Sequence, residues 1–161
     1  MKAGPGYETE PSQRIIVSLI FLLFFALMIL PAVDHRFGWS PVPASVTVLG
    51  NALVIFSFYR IFRVVTANSF AASNIRVEQG QTVIDAGPYA RVRHPMYAAT
   101  LWLIIGIPLA LGSWWWTLLI IPFIPVLAWR LLDEERILRR DLQGYIEYTE
   151  RVRYRLVPHV W

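Results

Sequence analysis

The chain has 161 residues, 56% of them hydrophobic, and carries a formal charge of +4. With a mean hydropathy of +0.47 it is too apolar for an ordinary soluble protein, and its length suits a single membrane domain covering residues 1–161. It contains no cysteine, which excludes disulfide, thiolate and zinc–thiolate chemistry.

A membrane-crossing helix needs about 20 apolar residues to traverse about 30 Å of hydrocarbon. Residues 15–33 form the first such stretch, uncharged and dense in Leu, Ile and Phe. The preceding segment carries Glu8 and Glu10 rather than a basic leader, which argues against a cleaved signal. Pro41 and Pro43 suit a loop or a first helical turn, so the second span is expected at about 43–62. Asn51 and Ser57 lie within it and are expected to face other helices.

Residues 95–129 are again uncharged. As one helix they would measure about 52 Å at 1.5 Å per residue, which overshoots the bilayer. Gly112-Ser113 is the natural turn, giving two short spans at about 96–111 and 114–132; the alternative is that one of them is re-entrant. Trp114, Trp115 and Trp116 gather at this turn, where amphipathic rings prefer the headgroup level. Pro108, Pro122 and Pro125 are expected to kink these helices. The fold class is therefore an all-α integral membrane protein of about four transmembrane helices.

Charge gives the orientation. Four spans place Lys2, Arg14, Arg60, Arg63, Arg76, Arg91, Arg93, Arg130, Arg136, Arg139, Arg140, Arg151, Arg153 and Arg155 on one side and leave Arg36 alone on the other. Both termini are expected in the cytoplasm, with the protein multi-pass in a cell inner membrane. The same distribution argues against nucleic acid as a partner, because juxtamembrane basic residues already serve topology and anionic lipids.

Two polar pieces remain on the basic side. Residues 75–84 alternate apolar and polar around Gln79-Gly80-Gln81, as in a small hairpin or extended loop, and Asp85-Ala86-Gly87-Pro88 reads as a turn. Residues 133–152 form a C-terminal amphipathic helical segment, with Leu131, Glu135, Leu138, Leu142, Tyr145, Thr149 and Val152 on one stripe. Gly144 is expected to divide it. Glu135 on that stripe points towards the bundle where the last span leaves the lipid, and a carboxylate there suggests a site. Arg130 is one candidate partner; an ordinary surface pair with Arg139 is the other. Arg91 to Tyr97 sets two arginines, His94 and Tyr97 at the mouth of the third span. His35, His94 and His159 are too scattered in sequence for a metal site.

In order, Gly87-Pro88-Tyr89, Arg93-His94-Pro95-Met96-Tyr97, a helical hairpin, Glu134-Glu135, then Tyr145, Tyr148, Arg151-Val152 and Pro158 resemble the isoprenylcysteine carboxyl methyltransferase family and its bacterial relatives. That family lies within a wider group of membrane methyltransferases that includes phospholipid N-methyltransferases. The resemblance implies an enzyme that uses S-adenosyl-L-methionine as methyl donor in a cytoplasmic pocket. By the same resemblance, Arg130 and Glu135 are the catalytic candidates. The cofactor-binding candidates are Tyr89, Arg93, His94, Pro95, Tyr97, Glu134, Leu138, Tyr145 and Tyr148. The implied acceptor is a lipophilic small molecule or a prenylated group, and membrane lipids are the further expected partner. Carboxyl methylation of an isoprenylcysteine-like group is the reading closest to the resemblance. The alternatives are phospholipid N- or small-thiol S-methylation, a membrane reductase-like enzyme, and a non-enzymatic lipid-binding protein.

Overall fold

The computed structural model describes residues 11–68 and 80–161. Among the described residues five α-helices follow in chain order: α1 (Pro11–Phe37), α2 (Ala44–Ala67), α3 (Pro95–Ala110), α4 (Ile120–Asp141) and α5 (Tyr145–Arg151). Single 3-10 turns precede α3, at Gly87–Ala90, and α4, at Trp115–Leu119. No strand occurs among the described residues. Ser12–Phe37, Ala44–Ala67 and Trp115–Asp141 are each long and apolar enough to cross a bilayer, and Pro95–Ala110 is a shorter apolar helix. This is the all-helical membrane protein of about four spans read from the sequence.

The helices overrun the apolar stretches. α1 begins four residues before the first uncharged stretch, and α2 runs five residues beyond the expected end of the second span. The reason is that helix propagation adds a hydrogen bond for each further residue, and arginine is a good helix former, so charge ends the hydrocarbon stretch without ending the helix. α3 starts at Pro95, where the missing N–H costs nothing, and stops at Ala110. Leu111-Gly112 make the turn, with Gly112 at φ +80°. Pro122 falls in the first turn of α4, where it disturbs no intrahelical bond, whereas Pro125 lies inside the helix. Gly144, at φ +81°, separates α4 from α5 as expected. Residues 75–79 of the anticipated hairpin lie outside the described residues, and 80–84 contain only a turn at Gly80.

α2 and α3 approach closely at two glycines. A Cβ on Gly50 would stand 2.4 Å from the Ala110 nitrogen, and one on Gly106 would stand 3.0 Å from the Leu53 Cβ. Leu27, Ile104, Ile107, Phe123 and Leu127 form the central apolar cluster, joining α1, α3 and α4. Ser57 is buried and donates to the Ala99 carbonyl at 2.8 Å, so it faces α3 as expected. Asn51 does not face a helix: it is exposed and donates to its own Thr47 carbonyl at 2.8 Å, an i−4 bond that satisfies the amide without a partner helix.

A buried clasp ties the α1–α2 loop to the α3–α4 turn. The Asp34 carboxylate accepts from the hydroxyls of Ser40 and Ser113 and, at 2.8 Å, from the Ser40 backbone N–H. The Trp114 N–H then donates to the Ser40 hydroxyl at 3.0 Å. These loops therefore share one end of the bundle. The start of α1, the start of α3 and the far half of α4 meet at the opposite end.

Candidate active site

His94 occupies the position just before α3, yet its ring makes no cap hydrogen bond to that helix. The sequence breaks there for Pro95, and the break frees the imidazole to turn towards α4, where Nε2 lies 3.2 Å from Glu135 Oε1. Arg93, one residue earlier, donates from Nε to the same oxygen at 2.7 Å. Its Nη1 reaches the carbonyls of Val152 and Arg153 at 3.0 and 3.1 Å. The other carboxylate oxygen of Glu135 accepts from Arg155 Nε at 3.0 Å. Arg93, His94 and Glu135 are all buried. One carboxylate thus joins the α3 entry, α4 and the C-terminal segment, and backbone bonds from Arg93 to Tyr154 and from His94 to Arg155, both 2.9 Å, reinforce the junction.

Beside it runs a second polar chain. Tyr97 donates to Glu134 Oε2 at 2.6 Å and accepts from Arg130 Nε at 3.1 Å. Arg130 Nη1 donates to Gln13 Oε1 at 2.8 Å. The Gln13 amide N–H donates to Asp133, which also accepts from Ser12 at 2.9 Å and from Arg136 at 2.6 Å. Charges buried to this degree are tolerated because each is paired and hydrogen-bonded.

The tyrosines form the third part. Tyr148 donates to the Tyr89 carbonyl at 2.8 Å, and the Tyr89 hydroxyl accepts from Asn68 at 3.1 Å. The rings of Tyr145 and Tyr148 lie 5.7 Å apart, with Leu142 and Val152 completing their buried cluster and the half-buried Leu138 packed against it. Burial pushes the hydroxyls of Tyr89, Tyr145 and Tyr148 above the usual tyrosine value, so all three are neutral near pH 7. The buried Tyr145 hydroxyl has no hydrogen-bond partner among the described residues. An orphaned buried hydroxyl costs about 1–3 kcal/mol, and a ligand atom placed beside it would recover that.

Most of the predicted site residues converge on this end of the bundle. Arg93, His94 and Glu135 make one cluster; Tyr97, Arg130 and Glu134 make the next; Tyr89, Tyr145, Tyr148 and Leu138 line the third. Pro95 is buried and contributes the helix start rather than a polar group. Two details differ from the sequence reading. The partners of Glu135 are Arg93, His94 and Arg155, not Arg130, and Arg139, one turn further along α4, is exposed. Residues five apart on a helix are displaced by about 140° at 3.6 residues per turn, so Arg130 and Glu135 serve different neighbours. Gln13, Asp133 and Arg155 join these clusters and were not anticipated. The available signal was Asp133 beside Glu134-Glu135; nothing local marks Gln13 or Arg155, because their partners are distant in sequence.

A family model described as phospholipid methyltransferase matches residues 43–143. That match spans α2, α3 and α4 and includes the Arg93-His94 turn and Glu134-Glu135, whereas α1 and α5 lie outside it. Among curated proteins no relative matches the chain.

Proposed function

This chain belongs to the phospholipid methyltransferase family, and from that premise we propose that it moves a methyl group from S-adenosylmethionine to a membrane lipid at the polar end described above. It is a membrane methyltransferase, within the wider group to which the isoprenylcysteine enzymes belong. We place that end, and both termini, on the cytoplasmic side, because 14 of the 15 basic residues fall there under a four-span topology.

The observation that carries the reading is the meeting of the Arg93-His94 turn with Glu134-Glu135. The residues there suit the donor. Its carboxylate calls for guanidinium or imidazole donors, as Arg93, His94 and Arg155 provide. Its sulfonium calls for aromatic faces, as Tyr145 and Tyr148 provide. The orphaned Tyr145 hydroxyl calls for a further polar atom. When bound, S-adenosylmethionine supplies an electrophilic methyl group.

The protein's own work is mostly positional. Glu135 is committed to two guanidinium groups and an imidazole, which makes it the group that orients Arg93, His94 and Arg155 rather than a free base. Glu134 accepts from Tyr97, and the Tyr97 oxygen accepts from Arg130, so these three form the acceptor side. A headgroup ammonium must lose a proton before it can attack, and Glu134 is the carboxylate placed to take it. Arg130 would hold the anionic part of the lipid by charge-assisted bonds. Holding both reactants in line and excluding water then provides most of the rate. Carboxyl methylation of an isoprenylcysteine-like acceptor is the second reading; what favours it is Arg130 itself, since a carboxylate acceptor needs a cation and no base.

Titration of the detergent-solubilised protein with S-adenosylhomocysteine tests the donor site. Binding is expected in the wild type and weakened by about tenfold or more in His94→Ala. A folded wild type that binds none refutes the proposal. Transfer of labelled methyl to phosphatidylethanolamine vesicles, compared with a farnesylated cysteine, separates the two acceptors.

A further inference from the structure

α1 lies outside the family match, yet it sends the Gln13 side chain into the acceptor side of the site. Gln13 is fully buried. Its amide oxygen accepts from Arg130 at 2.8 Å while its amide nitrogen donates to Asp133. Arg130 and Asp133 stand three residues apart on α4, the spacing at which opposite charges attract across one helix face. The amide stands between them and satisfies both. No other uncharged side chain of this length accepts from a guanidinium and donates to a carboxylate with one planar group. A glutamate would meet Arg130 but repel Asp133; a lysine would do the reverse.

Resting on the acceptor role given to Arg130 above, we propose that Gln13 is a positioning residue for methyl transfer. It holds the Arg130 guanidinium against Tyr97 and away from Asp133, and so keeps the cation aimed at the anionic part of the acceptor. Two of the bonds that hold the guanidinium are Nε to the Tyr97 oxygen and Nη1 to Gln13. With Nη1 released, Arg130 turns towards Asp133, and the acceptor loses its anchor while the Arg93–His94–Glu135 cluster keeps every one of its bonds.

The test compares the wild type with Gln13→Met, which retains the volume without the amide, with Asp133→Asn, and with the double variant. In Gln13→Met, kcat/KM for the lipid acceptor should fall by about tenfold or more, while affinity for S-adenosylhomocysteine stays within about twofold. In the double variant the attracting carboxylate is gone, so about half or more of the loss should return, a non-additivity expected only of coupled groups. A purely structural role for Gln13 would move both ligands together and show no rescue. Wild-type turnover in Gln13→Met, or a double variant no better than the single one, overturns the proposal. A crystal or cryo-EM structure of Gln13→Met tests it without turnover: Arg130 should lie on Asp133, and Arg130 still held at its wild-type position against Tyr97 overturns it. A chain that bound no donor would refute the proposed function and leave this structural test standing.

Discussion

Replacing Glu135 by Gln removes one negative charge from a site where it faces three cationic or proton-bearing groups. Arg93 Nε lies 2.7 Å away, Arg155 Nε 3.0 Å and His94 Nε2 3.2 Å. Glu135 and Arg93 are only 4% and 7% exposed, so water cannot take over the lost partner. Breaking a buried pair by removing one member costs about 3–5 kcal/mol. The lower figure applies here, because Arg93 Nη1 keeps the carbonyls of Val152 and Arg153 and the new amide oxygen still accepts one bond. For a chain of this size 1 kcal/mol shifts Tm by about 2–4 °C, so a loss of about 3 kcal/mol corresponds to about 6–12 °C. Thermal unfolding in detergent, followed by tryptophan fluorescence at fixed protein and lipid, measures it. S-adenosylhomocysteine binding should weaken in the same variant, since Arg93 and His94 lose their common anchor. A Glu135→Gln protein that melts with the wild type refutes the argument that this carboxylate is the electrostatic centre of the junction.

Gly50→Ala should lower Tm through the α2–α3 contact, since its Cβ would fall 2.4 Å from Ala110 N and 2.7 Å from Leu109 C, both backbone atoms that cannot step aside; overpacking of this kind costs about 1–3 kcal/mol. Gly106→Ala, with first contacts at 3.0–3.1 Å, should cost less, and equal melting of the two variants would contradict the packing model. Tyr145→Phe should leave stability unchanged or slightly raised at pH 7, because the hydroxyl it deletes has no partner among the described residues, while weakening donor binding. Burial raises the Tyr145 and Tyr148 values in the folded state, so the stability they contribute is complete below the unfolded value of about 10 and is lost as pH rises beyond it. Melting curves between neutral and strongly alkaline pH should therefore fall less steeply in Tyr145→Phe than in the wild type.

Much of the architecture was legible because a bilayer imposes a one-dimensional rule. Uncharged stretches of the right length had to be spans, and Gly112 and Gly144 marked breaks that the backbone then made at positive φ. Helix ends were less legible, since Arg14, Arg60 and Arg63 end the apolar stretch without interrupting backbone hydrogen bonding. The Asp34–Ser40–Ser113 clasp was not legible at all, because its members are short polar side chains at the end of α1 and in two different loops.

The site divides in the same way. The order of Arg93, His94, Tyr97, Glu134 and Glu135 along the chain carried the resemblance to the membrane methyltransferases, and hydropathy put those residues where two apolar stretches meet water. Which of them touch is a matter of rotation about α4 and of where the C-terminal segment and the start of α1 return. Those angles put Glu135 on Arg93, His94 and Arg155, and Arg130 on Tyr97 and Gln13. Hydropathy and charge act residue by residue and can be read from the chain in one dimension; the pairing of buried charges depends on helix phase and on partners more than a hundred residues apart, as Gln13 and Asp133 are, and only the packed bundle decides it.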